Sequence, residues 1–240
     1  MKPTYQDALA YYGVNGAHPG GLSLTKLLLE QEQITSSTEL LDAGCGTGQT
    51  SAYIKKNYPC HVTSIDYHPT MVNRAMNRFQ KEKLSINLFQ GSLEKLPFPN
   101  SSFDIILVES VLIFTNWNQS LKELKRVLKP NGVLLALEMT SERQLTSHEQ
   151  HNMCSVYGIE KVLTEQEWKN HIKEAGFRSV EVKVAHSVFS HLLSSSEVEE
   201  EGLDLTVPGN ADMENKLMEH SHILYVYGNI IGYRVYRALC

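Results

Sequence analysis

Leu40-Leu41-Asp42-Ala43-Gly44-Cys45-Gly46-Thr47-Gly48 is the stretch that decides how this chain is read. An apolar pair and an acidic residue run into three glycines at alternating positions, and 47–58 continues with a helical pattern. Glycines at a strand-to-helix turn let the backbone approach a ligand that any side chain would block. The spacing is not that of a dinucleotide site, because G-x-G-x-x-G would need a glycine where this chain has Gln49. A carboxylate just before the loop repels a pyrophosphate and attracts an ammonium group. Asp42 therefore points to a ligand with an amino-acid end.

On either side of this run, segments rich in β-branched and apolar residues alternate with helical patterns, which predicts a mostly parallel sheet covered on both faces. Strands are expected at 40–42, 61–65, 85–90, 103–109, 133–139 and 178–187, with a last one near 233–239. Helices are expected at 23–33, after His68-Pro69, over 121–128 and over 211–227. Thr164 with Glu167 three residues on reads as a capping box opening another, which ends at Gly176. Met71, Val72, Ala75, Met76 and Phe79 give the helix after Pro69 its apolar stripe.

The glycine run resembles the first motif of the class I S-adenosylmethionine-dependent methyltransferases, of the small-molecule type. Three further regions agree in order: VTSID ending at Asp66, GSLEKLPF over 91–98, and FDIILVES with LKELKRVLKPNGVLLALE over 103–138. The resemblance implies a doubly wound α/β fold, Rossmann-like, with a mostly parallel seven-stranded sheet. Against it the chain reads as one domain over 1–240, with an N-terminal helical lid (1–33), a cofactor-binding core (39–187) and a last strand (229–240). The family usually closes its sheet soon after this core, so 188–228 is expected to be an insertion that packs as a cap over the site. The resemblance implies S-adenosylmethionine as methyl donor and S-adenosylhomocysteine as product.

The cofactor residues follow by position. Asp42 would serve the amino group, Gly44 and Gly46 the methionine moiety, and Asp66 the ribose diol, with Cys45 and Gly48 also at the cofactor. Tyr67, Met71, Ser92 and Leu93 would surround the adenine. Many relatives have Asp where this chain has Ser92, whose uncharged hydroxyl accepts more weakly. Glu109 would either bind the ammonium group or act as a base, and His18 is the other candidate base. Tyr11, Tyr12, His18 and His151 are candidates for contact with the acceptor. No N-P-P-Y motif follows the fourth strand, which argues against methylation of a nucleobase or glutamine. The alternative reading is a non-catalytic protein that binds or senses the same cofactor.

Charge and composition narrow the partners. Residues 185–240 carry 3 Lys or Arg against 8 Asp or Glu, which accounts for the whole formal charge of −5. No basic face is left for a phosphate backbone, so a small-molecule acceptor is expected and nucleic acid is not. The acidic 197–204 segment has no assigned role. No membrane span or secretory leader is legible, and 4 scattered cysteines fit the cytoplasm. Ser147-His148-Glu149-Gln150-His151-Asn152 fails H-E-x-x-H, so no metal is expected.

Overall fold

Strands with apolar residues at successive positions cannot face water on either side, and they are stable only between two helical layers. In the computed structural model, which describes residues 3–187 and 206–240, this produces a seven-stranded sheet. The order along the chain is α1 (Tyr5–Tyr12), α2 (Gly21–Leu29), β1 (Glu39–Ala43), α3 (Gln49–Asn57), β2 (His61–Asp66), α4 (Pro69–Lys81), β3 (Asn87–Gln90) and β4 (Phe103–Glu109). A 3₁₀ turn (Leu112–Phe114), α5 (Trp117–Val127), β5 (Leu128–Ser141), α6 (Ser147–Tyr157), α7 (Glu165–Glu174), β6 (Ser179–Ser187), α8 (Ala211–Tyr227) and β7 (Ile231–Leu239) follow. The strands lie in the order β3-β2-β1-β4-β5-β7-β6, with β7 antiparallel to both neighbours and the remaining pairs parallel.

The period-2 alternation of side chains sorts the core into two layers. Ile106 and Val108 of β4 join Leu134 and Ala136 of β5 under α5 and α7, where Leu121, Leu124, Trp168 and Ile172 are buried. Ile105 and Leu107 face the other way with Leu135 and Leu137, against Leu24 and Leu28 of α2 and Ile54 of α3. The expected stripe of α4 is corrected at one place. Met71, Ala75 and Phe79 are buried at i, i+4 intervals, whereas Met76 lies off that line and is exposed. The first part of the expected cap, including the acidic 197–204 segment, lies outside the described residues. Its second part is α8, which packs on α1 and α6.

Glu138 of β5 fixes the connection that leaves β4. Fully buried, it accepts hydrogen bonds from the amides of Val111 (3.1 Å), Leu112 (2.8 Å) and Ile113 (3.3 Å). One carboxylate thus satisfies three donors of a turn that no helix or strand would otherwise pair. Burial raises its pKa to about 8, against the pull of those amides.

Replacing Glu138 by Ala should destabilise the protein by about 3 kcal/mol or more, since three buried donors lose their acceptor together. Glu138→Gln keeps one acceptor oxygen and should lose less. The raised folded-state pKa means that this group's stabilisation is complete at low pH and is lost as pH rises from the ordinary carboxylate range to about 8. Urea denaturation at pH 5.5 and 8.5 should therefore show a smaller drop for the Gln variant than for the wild type. Equal drops would remove Glu138 as the titrating group.

Candidate functional site

The chain winds from β1 outward to β3 and then returns to the other side of β1 with β4. This leaves a crevice at the carboxyl ends of β1 and β4, the switch point where open α/β sheets place ligands. A cavity of about 600 Å³ occupies it, within the range of small-molecule sites. The β1–α3 loop, Asp66 at the end of β2 and the residues after Glu109 line it. Gln6, Asp7 and Leu9 of α1 and His18 of the α1–α2 loop line it as well.

Two glycines of the loop are required for different reasons. Gly44 has φ 89°, and a Cβ there would fall 2.3 Å from Val111 Cγ2, inside contact distance. It lets the end of β4 close down on the end of β1. Gly46 has φ 53°, and a Cβ there would meet nothing within 4 Å. Since Gly46 lines the cavity, any side chain would project into ligand space. Gly48 differs from expectation. It is absent from the lining, and a Cβ there would lie 2.7 Å from the Phe79 ring, so it serves the packing of α3 on α4.

Three carboxylates meet at this crevice. Asp66 accepts from the amides of Gly46 and His68, at 2.8 Å each, which ties the glycine loop to the end of β2. Burial still raises its pKa. Asp42 is 3% exposed and accepts from Ser51. Burial first, and then the charge of Glu109, lift its carboxyl to about 7. Glu109 accepts from Thr25 Oγ1 at 2.5 Å and Thr50 Oγ1 at 2.9 Å, and His18 Nε2 lies 3.4 Å from its Oε2. No Lys or Arg occurs in the lining among the described residues. The site is thus built to attract a cation.

Burial, with Asp42 and Asp66 nearby, pushes the Cys45 thiol well up, so it stays protonated and is no nucleophile. Farther out, Met71 is buried at the wall while Tyr67 is 75% exposed at the rim. Ser92 and Leu93 line the same end. Ser92 Oγ accepts from the Glu94 amide at 3.1 Å, which leaves its proton and one lone pair for a ligand.

Three expected acceptor contacts are corrected by position. The hydroxyl of Tyr11 donates to the Pro208 carbonyl at 3.0 Å, and that of Tyr12 accepts from the Asn210 amide at 3.1 Å. Both stand at the C-terminal end of α1, past the α1 residues that line the cavity, and they bind α1 to the chain entering α8. His151 is exposed on α6, outside the lining. His18 is where acceptor and donor groups were both expected. The sequence reading missed Thr25, Thr50, Val111 and Phe114, of which Thr25 and Thr50 hold Glu109 and the other two line the cavity. Behind Phe114 stands Tyr5, stacked on His220 with centroids 4.9 Å apart. Burial lowers the pKa of His220 to about 4, so this ring is neutral and packs, with Tyr5, behind the lining rather than in it.

Residues 41–136 match a family described as a methyltransferase domain. The chain is 35% identical to an uncharacterized methyltransferase of Bacillus subtilis strain 168, YodH, over 98% of both chains. It is 28% identical to a malonyl-[acyl-carrier protein] O-methyltransferase of Paenibacillus sp. strain JDR-2, over 65% of this chain and 62% of that one. Its fold is similar to that of Haemonchus contortus phosphoethanolamine N-methyltransferase 2 in complex with S-adenosyl-L-methionine. That match has a TM-score of 0.77 at 18% identity and covers 98% of this chain and 57% of that chain.

Alanine at the two glycines should separate packing from ligand space. Gly44→Ala should be strongly destabilised or fail to fold, because strain at φ 89° adds to overlap with Val111. Gly46→Ala should lose only about 1–2 kcal/mol from left-handed strain, yet bind S-adenosylhomocysteine at least tenfold more weakly. Thermal unfolding and calorimetric titration check both. Wild-type affinity in Gly46→Ala would mean that the ligand lies elsewhere.

Proposed function

The chain belongs to the class I S-adenosylmethionine-dependent methyltransferases, and from that premise we propose that it methylates a small acceptor carrying no phosphate or carboxylate, in the cavity at the ends of β1 and β4. The observation that carries this reading is the lining: five carboxylates, Asp7, Asp42, Asp66, Glu94 and Glu109, with no Lys or Arg among the described residues. An anionic acceptor would enter among these carboxylates with no Lys or Arg to meet it, at an electrostatic penalty that neutral or cationic acceptors avoid. Malonyl and phosphoethanolamine groups, in the names of two similar proteins, are therefore poor guides to the acceptor here.

The residues present fit the donor. Gly46 leaves open space where a Cβ would project, and the carboxylates match a ligand that carries positive charge. In the proposed arrangement Gly44, Cys45 and Gly46 pass the methionine portion, while Asp42 and Glu109 attract its ammonium group. Asp66 accepts from the ribose diol through the lone pairs that its two amide bonds leave. Tyr67, Met71, Ser92 and Leu93 flank the adenine.

S-adenosylmethionine supplies a methyl group on a sulfonium, already an excellent leaving group. The protein's work is then to align the two reactants and exclude water. Leu9, Val111 and Phe114 give the cavity apolar wall, and α1 closes it on the side away from the sheet. The four cysteines are free thiols, and no described helix is long and apolar enough to cross a membrane. Those thiols support placing the protein in the reducing cytoplasm.

Matched acceptors test the charge reading. Ethanolamine against phosphoethanolamine, and catechol against a dihydroxybenzoate, would be incubated with S-adenosylmethionine and followed by S-adenosylhomocysteine release and product mass. Faster transfer to the anionic member of a pair would sink it. Asp66→Ala should weaken the donor by about 1–3 kcal/mol through lost charged hydrogen bonds, and should also lower stability because the Gly46 and His68 amides lose their acceptor; titration calorimetry beside thermal unfolding separates the two.

Asp42 adds a pH dependence. Its carboxyl titrates near 7 in the protein without donor, and a cationic donor favours the ionised form. Affinity should therefore be full above pH 7 and fall as pH drops through that value, with proton release on binding near pH 6.5. Titration calorimetry in buffers of different ionisation enthalpy measures this directly. Constant affinity from pH 6 to 8 without proton exchange would show that Asp42 does not face the donor's charge.

A further inference from the structure

His18 stands out among the cavity residues because its side chain is buried and lacks partners. It is 8% exposed, and neither Nδ1 nor Nε2 makes a hydrogen bond. Nε2 lies 3.4 Å from Glu109 Oε2, close enough for charge attraction but without a made hydrogen bond. A ring in such a place loses water without replacement unless a ligand supplies a partner.

The rest of the lining indicates what that partner is. Its carboxylates are acceptors, and among the described lining residues only His18 and His68 can carry positive charge. His68 is committed on both sides: Nδ1 accepts from the Thr70 amide at 3.2 Å, and Nε2 lies 3.2 Å from Asp7 Oδ1. His18 is left. Its position is set by backbone, since its amide donates to the Gly16 carbonyl at 2.6 Å and its carbonyl accepts from the Gly21 amide at 3.1 Å. Gln49 and Thr50, the first residues of α3, line the same cavity, and Thr50 bonds the Glu109 oxygen that faces His18, so the positive end of that helix dipole lies nearby.

We propose that His18 and Glu109 form a clamp for the amino-acid end of the methyl donor, with His18 donating to the α-carboxylate and Glu109 accepting from the α-ammonium group. The proposal rests on the donor site assigned above. It gives His18 a positioning role in place of the base expected from sequence. An α-amino acid carries its two charges on one carbon, so their partners must be neighbours of opposite character in the protein. The imidazole and carboxylate 3.4 Å apart meet that requirement. Glu109 retains acceptor capacity, because Thr25 and Thr50 take one lone pair on each oxygen.

Four ligands dissect the clamp by titration calorimetry: S-adenosylmethionine, S-adenosylhomocysteine, decarboxylated S-adenosylmethionine and 5′-methylthioadenosine. His18→Ala and His18→Asn should bind the first two about tenfold to a hundredfold more weakly than the wild type. Decarboxylated S-adenosylmethionine has no carboxylate, and 5′-methylthioadenosine has no amino-acid end. Both should bind wild type and His18 variants alike, which also certifies that the variants are folded. Glu109→Gln should weaken the decarboxylated ligand as well as the intact donor, and spare 5′-methylthioadenosine.

Unchanged S-adenosylhomocysteine affinity in both His18 variants would overturn the clamp, and an accompanying loss of turnover would return His18 to the acceptor side. An equal loss for the decarboxylated ligand would assign His18 to some other part of the donor. Failure of the wild type to bind any of the four would overturn the donor site itself, a result separable from failure of the clamp alone.

Discussion

Three carboxylates at the ends of adjacent parallel strands are the constraint around which this molecule is arranged. Asp42, Asp66 and Glu109 end β1, β2 and β4, and parallel topology delivers all three to one edge of the sheet. Like charges buried together repel, and burial alone opposes ionisation. The protein answers with short-range donors: Ser51 on Asp42, the Gly46 and His68 amides on Asp66, and Thr25 and Thr50 on Glu109. These donors fix the orientation of each carboxylate but leave Asp42 titrating near neutrality. A cationic ligand removes the remaining mismatch, so the crevice favours one before any shape is considered.

The same edge explains why the N-terminal segment is held so firmly. Arg74 of α4 donates to the carbonyls of Ala10 (3.0 Å) and Tyr11 (2.7 Å), which would otherwise end α1 without partners. Asp7 reaches His68 across the cavity rim, while Tyr11 and Tyr12 hold the chain that leads into α8. Side chains or backbone of α4, of the β2–α4 turn and of the segment before α8 thus all hold α1. The two tyrosines therefore shape the site from outside, and the surfaces that meet ligands are left to Gln6, Asp7, Leu9 and His18.

Much of this was legible in the sequence wherever a local rule coincides with a tertiary need. The strand at 103–109 and the helix at 211–227 fall where periodicity places them, and Gly44 and Gly46 line the cavity that their spacing implies. The start of α6 is also legible in the sequence. Thr146 and Glu149 form the same capping box as Thr164 and Glu167. Thr4 and Asp7 cap α1 in the same way. What no local rule encodes is which side chains meet after folding. Thr25 and Thr50 lie 84 and 59 residues from the carboxylate they hold, and each is an ordinary helix threonine by sequence. Gly48 was misassigned for a related reason, since one conformational freedom serves both a close ligand and a close helix.

Methyl transfer from a sulfonium sets a limit on how strongly such carboxylates should act. Positive charge leaves sulfur in the transition state, so a bare carboxylate against the sulfonium would stabilise the ground state more than the transition state and slow the chemistry. The hydroxyl and amide donors on Asp42, Asp66 and Glu109 withdraw part of that charge and direct the free lone pairs to particular places. A carboxylate that grips the ammonium group holds a charge that transfer leaves intact, and it positions the methyl without opposing its departure. The product keeps its ammonium and carboxylate but loses the sulfonium charge, so an acidic cavity binds it less strongly by electrostatics than the donor. At the proposed donor site, the acidity that would draw the donor in would thereby also favour release of what the reaction leaves behind.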